Sequence, residues 1–531
     1  MSIPESWELT RVMLWALGLF VAPPSAGDCA GLAKLNLPAT TITVAEEVTA
    51  GAFQPPGGQA LKNLPAFCRV TGVLRPSSDS DIRFETWMPA KGWNSKFQGV
   101  GNGGFAGAIS YGGLAEAVRH GYAAASTDTG HRGGGTDATW ALRHPEKVVD
   151  FGHRAIHEMT VKGKAITEAF YGSKPKWSYF SSCSNGGRQA LMEAQRYPED
   201  YDGIISGAPA NHWTHLLALA VSSMQATAAD RVAYIPQAKL PAIQAAALAA
   251  CDKLDGVEDG VVENPATCRF DPATLQCKGA ENDKCLTEPQ VKALRKLYDG
   301  LRDSKGKLLY SGYAMSGEAE QGGWGPWITG PAPEKSLLFA FGTGYYKNMV
   351  FGDPAWDYKK FSLDTDFKTA VVKTAGILDA TAPDLRRFRA RGGKLILYHG
   401  WCDAAIPAQG LIDYYRSVTK KMGAKKTAEF VRLFMAPGMQ HCGGGAGPNA
   451  FGQGGVAQGD PRTNIAAALE RWVEQGIAPE EIIATRNKTA ASPVVRTRPL
   501  CAYPKVAKYQ GTGSTDDASN FACVEPGKPI R

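Results

Sequence analysis

Short apolar runs alternate along much of this chain with stretches of helical period. Residues 84–89, 96–100, 122–126, 177–181 and 203–209 read as strands, while residues 149–170 and 189–195 carry apolar positions at helical spacing. Such β-α-β alternation predicts a mostly parallel sheet flanked by helices. It stops near residue 210: residues 216–229, 240–250 and 288–301 read as helices and residues 317–333 are rich in Gly, Trp and Pro. Strand patterns resume at 394–399 and 430–435, whereas 29–68 reads as loop-rich. The expected organisation is an α/β core in two parts, residues 27–209 and 384–531, interrupted by a mainly helical lid domain at residues 210–383. Insertions over the C-terminal ends of parallel strands are where such sheets keep their specificity.

Composition narrows the class. In 531 residues, 44% are hydrophobic and 21% charged, without low-complexity tracts or fixed-period repeats. The net charge of +7 is spread thinly, with no Lys/Arg run and no basic stripe interleaved with aromatics, which argues against nucleic acid as a partner. Residues 12–22 are apolar but too short to cross a bilayer; Arg11 precedes them, and small residues follow up to Ala26 and Gly27. That pattern suits a signal peptide over residues 1–26 and a secreted or periplasmic protein, although Glu5 and Glu8 make the leading region less positive than usual. A buried amphipathic N-terminal segment is the other reading. Eleven cysteines without a C-x-x-C pair fit an oxidising compartment, and the odd count leaves at least one unpaired or paired between chains.

The strand at 177–181 runs into Ser182-Cys183-Ser184-Asn185-Gly186-Gly187 and then into a helical run, so Ser184 would stand at a strand-to-helix corner. A nucleophilic serine of an α/β-hydrolase occupies such a corner, in the pattern G-x-S-x-G, because a tight turn has no room for side chains. Here Ser182 stands at the first glycine position and Gly186 at the second. The backbone N–H of Asn185, the residue after the serine, would be one oxyanion donor, and the glycine-rich turn 101–107 would offer the other. An acid and a histidine follow in the order this chemistry uses: Asp403 after the strand at 394–399, His441 after the strand at 430–435. With nine histidines in the whole chain, one at the required place is informative. Cys183 adjoins Ser184 and Cys442 adjoins His441, so a folded triad would bring the two sulfurs together, and a disulfide there would fix the Ser–His distance.

Two further clusters could hold metal. Asp252, Asp255 and Asp259, punctuated by glycines, could supply oxygens to a hard cation such as Ca²⁺, with the carbonyls of Val257 and Val261; a solvated acidic turn is the competing reading. His153 and His157 stand four apart, a metal-binding spacing for which the sequence suggests no third ligand.

Taken together, Cys183-Ser184, Asp403 and His441-Cys442 resemble the tannase and feruloyl esterase family, which also contains the enzyme hydrolysing mono(2-hydroxyethyl) terephthalate. Gly101-Asn102-Gly103-Gly104, Asp202-Gly203-Ile204, the acidic loop 252–261, His399-Gly400, Pro437-Gly438-Met439 and residues 496–501 add to the resemblance. It implies an α/β-hydrolase core with a helical lid and a secreted serine esterase acting on small esters of aromatic, hydroxycinnamic-type acids, free or attached to plant polysaccharide or polyphenol. A tannase acting on galloyl esters and a hydrolase of other aromatic monoesters are the alternatives, and a non-catalytic calcium-dependent binding protein is the remotest one. By the same resemblance Ser184 is the nucleophile, His441 the base and then acid, Asp403 its orienting partner, and the N–H groups of Gly104 and Asn185 the oxyanion donors. Structural Ca²⁺ would be held by Asp252, Asp255, Val257, Asp259 and Val261, with no organic cofactor. The implied disulfides are Cys29–Cys68, Cys183–Cys442, Cys251–Cys268, Cys277–Cys285 and Cys501–Cys523, leaving Cys402 as a buried apolar residue. Two departures stand out: Ser182 replaces a glycine, and residues 324–353 offer no arginine matching the acid-binding one of the terephthalate enzyme. Aromatic candidates for the substrate ring are Trp324, Trp327, Phe339, Phe341, Tyr345 and Tyr346.

Overall fold

The computed structural model describes residues 27–487 and 493–526; the expected signal peptide at residues 1–26 lies outside them. A nine-stranded sheet organises the chain, formed by β1 (Thr40–Val48), β2 (Phe67–Leu74), β3 (Ile82–Pro89), β4 (Lys96–Val100), β5 (Ala123–Thr127), β6 (Trp177–Cys183), β7 (Gly203–Gly207), β8 (Lys394–Gly400) and β9 (Val431–Ala436). Their spatial order is β1-β2-β3-β5-β4-β6-β7-β8-β9. The pairs β1/β2, β2/β3 and β3/β5 are antiparallel, and all pairs from β5/β4 to β8/β9 are parallel. The serine corner thus follows a central strand, with β4 and β7 on either side.

Ten helices of eight residues or more are described: α1 (Tyr111–Arg119), α2 (Ala155–Tyr171), α3 (Asn185–Arg196), α4 (Trp213–Thr227), α5 (Leu240–Cys251), α6 (Glu288–Asp299), α7 (Leu337–Gly344), α8 (Lys368–Leu378), α9 (Gln409–Met422) and α10 (Ile465–Gln475). One sheet face is covered by residues of α2, α3 and α9, the other by α1 and α10, so both faces are covered, as β7, buried at every position, requires. Between β7 and β8 the chain builds a separate core around α4, which packs on α6, α7 and α8. The apolar surface of α4 is buried almost all round, which lets it serve as the axis of this insert. These features make the fold an α/β-hydrolase with a helical insert.

The loop-rich expectation for residues 29–68 is corrected. They contain β1 and a small hairpin, Gly51–Phe53 with Leu61–Leu64. β1 is an edge strand whose outward side chains are polar, and a register shift between Ile42 and Val44 breaks its alternation. Strands Glu481–Asn487 and Val494–Cys501, which pair with one another, and Val506–Tyr509 with Phe521–Val524, form two further ribbons near the C-terminus.

Candidate active site

The six parallel strands, β4 to β9, end at one edge, and the segments that follow them meet there. β6 turns sharply at Ser184, whose φ of 66° and ψ of −126° lie where a side chain is strained. The turn is held by the Ser184 N–H donating to the Gly207 carbonyl (2.9 Å) and by Arg188 and Ala210 N–H groups donating to the Ser184 carbonyl (both 3.1 Å). A Cβ on Gly187 would lie 2.3 Å from the Gly207 oxygen, and one on Gly186 would strike the Ser182 hydroxyl at 1.8 Å. Ser182 therefore fits at the first small position because Gly186 leaves room for it.

The serine hydroxyl lies 2.9 Å from His441 Nε2, and His441 Nδ1 lies 2.8 Å from Asp403 Oδ2. Since the carboxylate only accepts, Nδ1 carries the proton and Nε2 is free to accept from Ser184. Asp403 is buried at 2% exposure, and its Oδ1 takes the N–H groups of Ala405 (2.8 Å) and Ile406 (2.9 Å). Burial pushes its carboxyl upward, but His441 and His399 outweigh burial and hold it well below the usual carboxylate range. His399 was not singled out for a role by sequence. Its Nε2 lies 3.0 Å from both Asp403 Oδ2 and the Ile406 carbonyl, two acceptors that require this nitrogen to be the protonated one. Its position four residues before Asp403, at the end of β8, was the available signal.

Cys183 and Cys442 are joined, with Cα atoms 6.0 Å apart. The other bonded pairs are Cys29–Cys68, Cys251–Cys268, Cys277–Cys285 and Cys501–Cys523. Cys402 is free and buried, its thiol donating to the Ser316 carbonyl and pushed up to about 12 by burial.

Gly104 and Asn185 border the cleft above Ser184. Gly104 has φ +57°, and a Cβ there would lie 2.3 Å from the Gly135 oxygen, so the loop after β4 accepts only glycine at this point. Gln189 of α3 fastens that loop, accepting from the Asn102 N–H (3.1 Å) and donating to the Asn102 side chain (2.7 Å). The Asn185 side chain is turned away from the cleft: its Oδ1 accepts from Arg188 Nε (2.9 Å) and Nη2 (2.7 Å). Arg188 is wholly buried, donates to the Gly152 and Phe151 carbonyls at 2.7 and 3.0 Å, and is pushed down to about 9 by burial.

The cleft holds about 500 Å³ including its open mouth, and its walls are Ala210, Trp213, Leu216, Leu217, Ala220, Trp327, Leu338, Phe341, Ala405 and Ile406. Of the aromatic candidates from sequence, Trp327 and Phe341 line it, stacked 6.1 Å apart, with Trp327 edge-on to His441 at 5.1 Å. Trp324, Tyr345 and Tyr346 are instead core of the insert, and Phe339 packs edge-on to Tyr358. The wall supplied by α4 was missed, because a helix apolar all round does not announce which side meets a cleft.

In the acidic loop, Asp252 accepts from the Asp259 and Gly260 N–H groups, and Asp255 from those of Val257 and Glu263. Asp259 pairs with Arg498 (2.7 Å) and Arg496 (3.2 Å). Glu263 is buried, and its Oε2 has no hydrogen bond but lies 3.7 Å from Arg498 Nη1. Four carboxylates against two guanidinium groups leave a surplus of negative charge that a hard cation would offset. Among the described residues, the groups of three whose ligating atoms lie within 4.8 Å of one another are found elsewhere, His212/His215/Asp379 and His157/Glu193/Asp200; Asp252, Asp255 and Asp259 do not converge in this way.

The arrangement of Ser184, His441 and Asp403 can support acyl transfer, and comparison with known proteins gives the family. Residues 68–524 match the family described as tannase and feruloyl esterase. The chain is 45% identical to an uncharacterized esterase of Xanthomonas campestris pv. campestris, over 96% of this chain and 94% of that one. It is 32% identical to a probable feruloyl esterase B-2 of Aspergillus terreus, covering 92% and 94%. The crystal structure of feruloyl esterase B from Aspergillus oryzae superposes with a TM-score of 0.87 at 30% identity, covering 93% of this chain and 99% of that one. A serine corner on a central strand, a histidine and an acid on later strands, and similarity along nearly the whole chain make this protein a carboxylic ester hydrolase of the tannase and feruloyl esterase family.

Proposed function

We propose that this esterase hydrolyses esters of aromatic acids, hydroxycinnamic acids of the feruloyl type foremost, through an acyl-enzyme on Ser184. The observation that carries the reading is the hydrogen-bonded line Ser184–His441–Asp403 at the floor of an aromatic, uncharged cleft. His441 Nε2 takes the hydroxyl proton as Ser184 Oγ attacks the ester carbonyl, and Asp403 stabilises the imidazolium that forms. The negative oxygen is received by the backbone N–H groups of Asn185 and Gly104; one such donor is typically worth ~10²–10³ in rate. The alcohol leaves with the proton from His441. Water then repeats the sequence, giving its proton to His441 and releasing the acid and the free serine.

The character of the walls supports ferulate over the alternatives. Trp327 and Phe341 are placed to stack on a ring, whereas a galloyl group would bring three hydroxyls against walls with few polar partners. A terephthalate monoester would bring a carboxylate, and no Lys or Arg is among the residues lining the cleft. Rates for methyl ferulate, methyl gallate, the terephthalate monoester and a short aliphatic p-nitrophenyl ester test this directly. Ferulate should be cleaved fastest; hydrolysis of the aliphatic ester alone would overturn the aromatic-acyl assignment and leave the catalytic residues standing.

Asp252, Asp255 and Asp259 with the Val257 and Val261 carbonyls hold Ca²⁺ as a structural ion, which when bound neutralises the loop's surplus charge. Residues 210–383 act as a lid over the sheet edge. Five disulfides and the apolar segment at residues 12–22 support a secreted or periplasmic protein. Among the described residues no helix is long and apolar enough to cross a membrane.

A further inference from the structure

Away from the cleft, α2 and α3 bring together His157, Glu193 and Asp200, the last in the turn that follows α3. A ligating atom of each lies within 4.8 Å of the other two. His157 Nδ1 is 2.6 Å from Asp200 Oδ2, and its ring is stacked on Tyr197 at 3.9 Å with the planes 7° apart, so the imidazole is held in one orientation. His153, its neighbour one turn earlier, is turned instead to the Tyr197 hydroxyl (2.7 Å). The pairing of His153 with His157 suggested by their spacing is therefore replaced by His157 with two carboxylates.

Glu193 makes this more than a chance cluster. It is 0% exposed, and neither of its carboxylate oxygens has a hydrogen-bond partner. Two buried carboxylates this close repel one another unless a proton or a cation lies between them. Among the described residues no Lys or Arg nitrogen comes within 4 Å of either carboxylate; Asp200 pairs only with His157. The nearby ammonium of Lys164 is committed elsewhere, donating to the Asp200 main-chain carbonyl and lying over the Tyr201 ring at 5.3 Å. His157 keeps 29% of its side chain exposed, which leaves an entry path from solvent.

We propose that His157, Glu193 and Asp200 form a divalent-cation site whose donors, one imidazole nitrogen and two carboxylates, suit Zn²⁺. An ion there gives the buried Glu193 carboxylate the partner it lacks and fastens α2 to α3, the helix that begins beside Ser184. It stabilises the serine corner and takes no part in the chemistry.

The test is calorimetric titration of Zn²⁺ into the full-length protein, stripped with a chelator and returned to Ca²⁺-containing buffer, with thermal melts alongside. The expected result is one equivalent bound with a raised Tm and an unchanged hydrolysis rate. His157→Ala should weaken binding by ~10-fold or more and remove the Tm gain. Glu193→Gln, which mimics a protonated carboxyl, should do the same; if it fails to fold, the partly exposed His157 carries the test alone. Absence of Zn²⁺ binding to the parent protein, or equal binding by His157→Ala, would overturn the proposal and leave a proton shared between Glu193 and Asp200. Binding that survives His157→Ala but is lost in His215→Ala would place the ion at the His212/His215/Asp379 group and overturn it equally.

Discussion

His399 and His441 share one oxygen of Asp403: both point a ring nitrogen at Oδ2, at 3.0 and 2.8 Å, while Oδ1 is occupied by two backbone N–H groups. The carboxylate is thereby held on all sides. A charge-assisted bond of this kind is worth about 1.5–3 kcal/mol. His399 touches neither Ser184 nor the cleft, so it acts by positioning Asp403.

His399→Phe keeps the buried ring and removes the donor. With the carboxylate less firmly held, kcat should fall about 10–100-fold while KM changes little. His399→Gln, which retains an N–H, should recover part of the loss. A mutant with full kcat would show that the backbone donors alone orient Asp403.

Ser184 offers a test in which activity and stability part company. Its backbone angles cost of order 1–3 kcal/mol for a residue with a side chain. Ser184→Ala and Ser184→Gly should both lose activity by ~10⁴ or more. Only glycine relieves the strain, for a net gain of order 1 kcal/mol after its greater unfolded-state entropy. Melting curves of the two inactive variants check this; equal Tm values would mean the turn stores no strain.

What could be read from the sequence follows a physical line. The strands buried on both faces, β6 and β7 among them, announce themselves by apolar runs, and Ser184, Asp403 and His441 follow from rare residue types at strand ends in a fixed order. Edge strand β1 did not announce itself, because its polar outer face and its bulge dilute both composition and period. In the insert, Trp324 and Trp327 are three residues apart and chemically identical, yet one is core and the other faces His441. Only the packing around α4 decides which is which, and that packing is set by contacts far apart in the chain. Glu193 and Asp200 could not be joined to His157 from spacing, since the three meet only when α2 packs beside α3.

The Cys183–Cys442 bond closes a long loop, with a sequence separation of 259, and ties the neighbours of Ser184 and His441. Cys183→Ala with Cys442→Ala should cost about 2–4 kcal/mol of stability. It should also lower kcat at temperatures where the variant remains folded, by ~10²-fold, because the serine–histidine approach is no longer fixed. Removing Cys277–Cys285, whose separation is only 8, should affect stability alone. If both double mutants kept full kcat when folded, the active-site bond would be a staple for stability and nothing more.

Asp128, at the end of β5 and 4% exposed, gives a pH prediction independent of catalysis. Burial pushes its carboxyl up from 3.8 to about 7, against the opposing N–H groups of Gly130 (2.9 Å) and Arg83 (3.0 Å), both donating to Oδ1. The folded chain therefore binds this proton more tightly than the unfolded one. The contribution is fully present below pH ~4, where both states are protonated, and is lost as pH rises towards ~7. Asp128→Asn keeps an Oδ1 that can accept the same two bonds and carries no charge at any pH. It should match the parent protein at pH 4 and exceed it at pH 8, by up to a few kcal/mol. Unfolding midpoints of the two proteins across pH 4–8 measure the difference; a gap that stays constant over that range would show that Asp128 does not change protonation between the folded and unfolded chain.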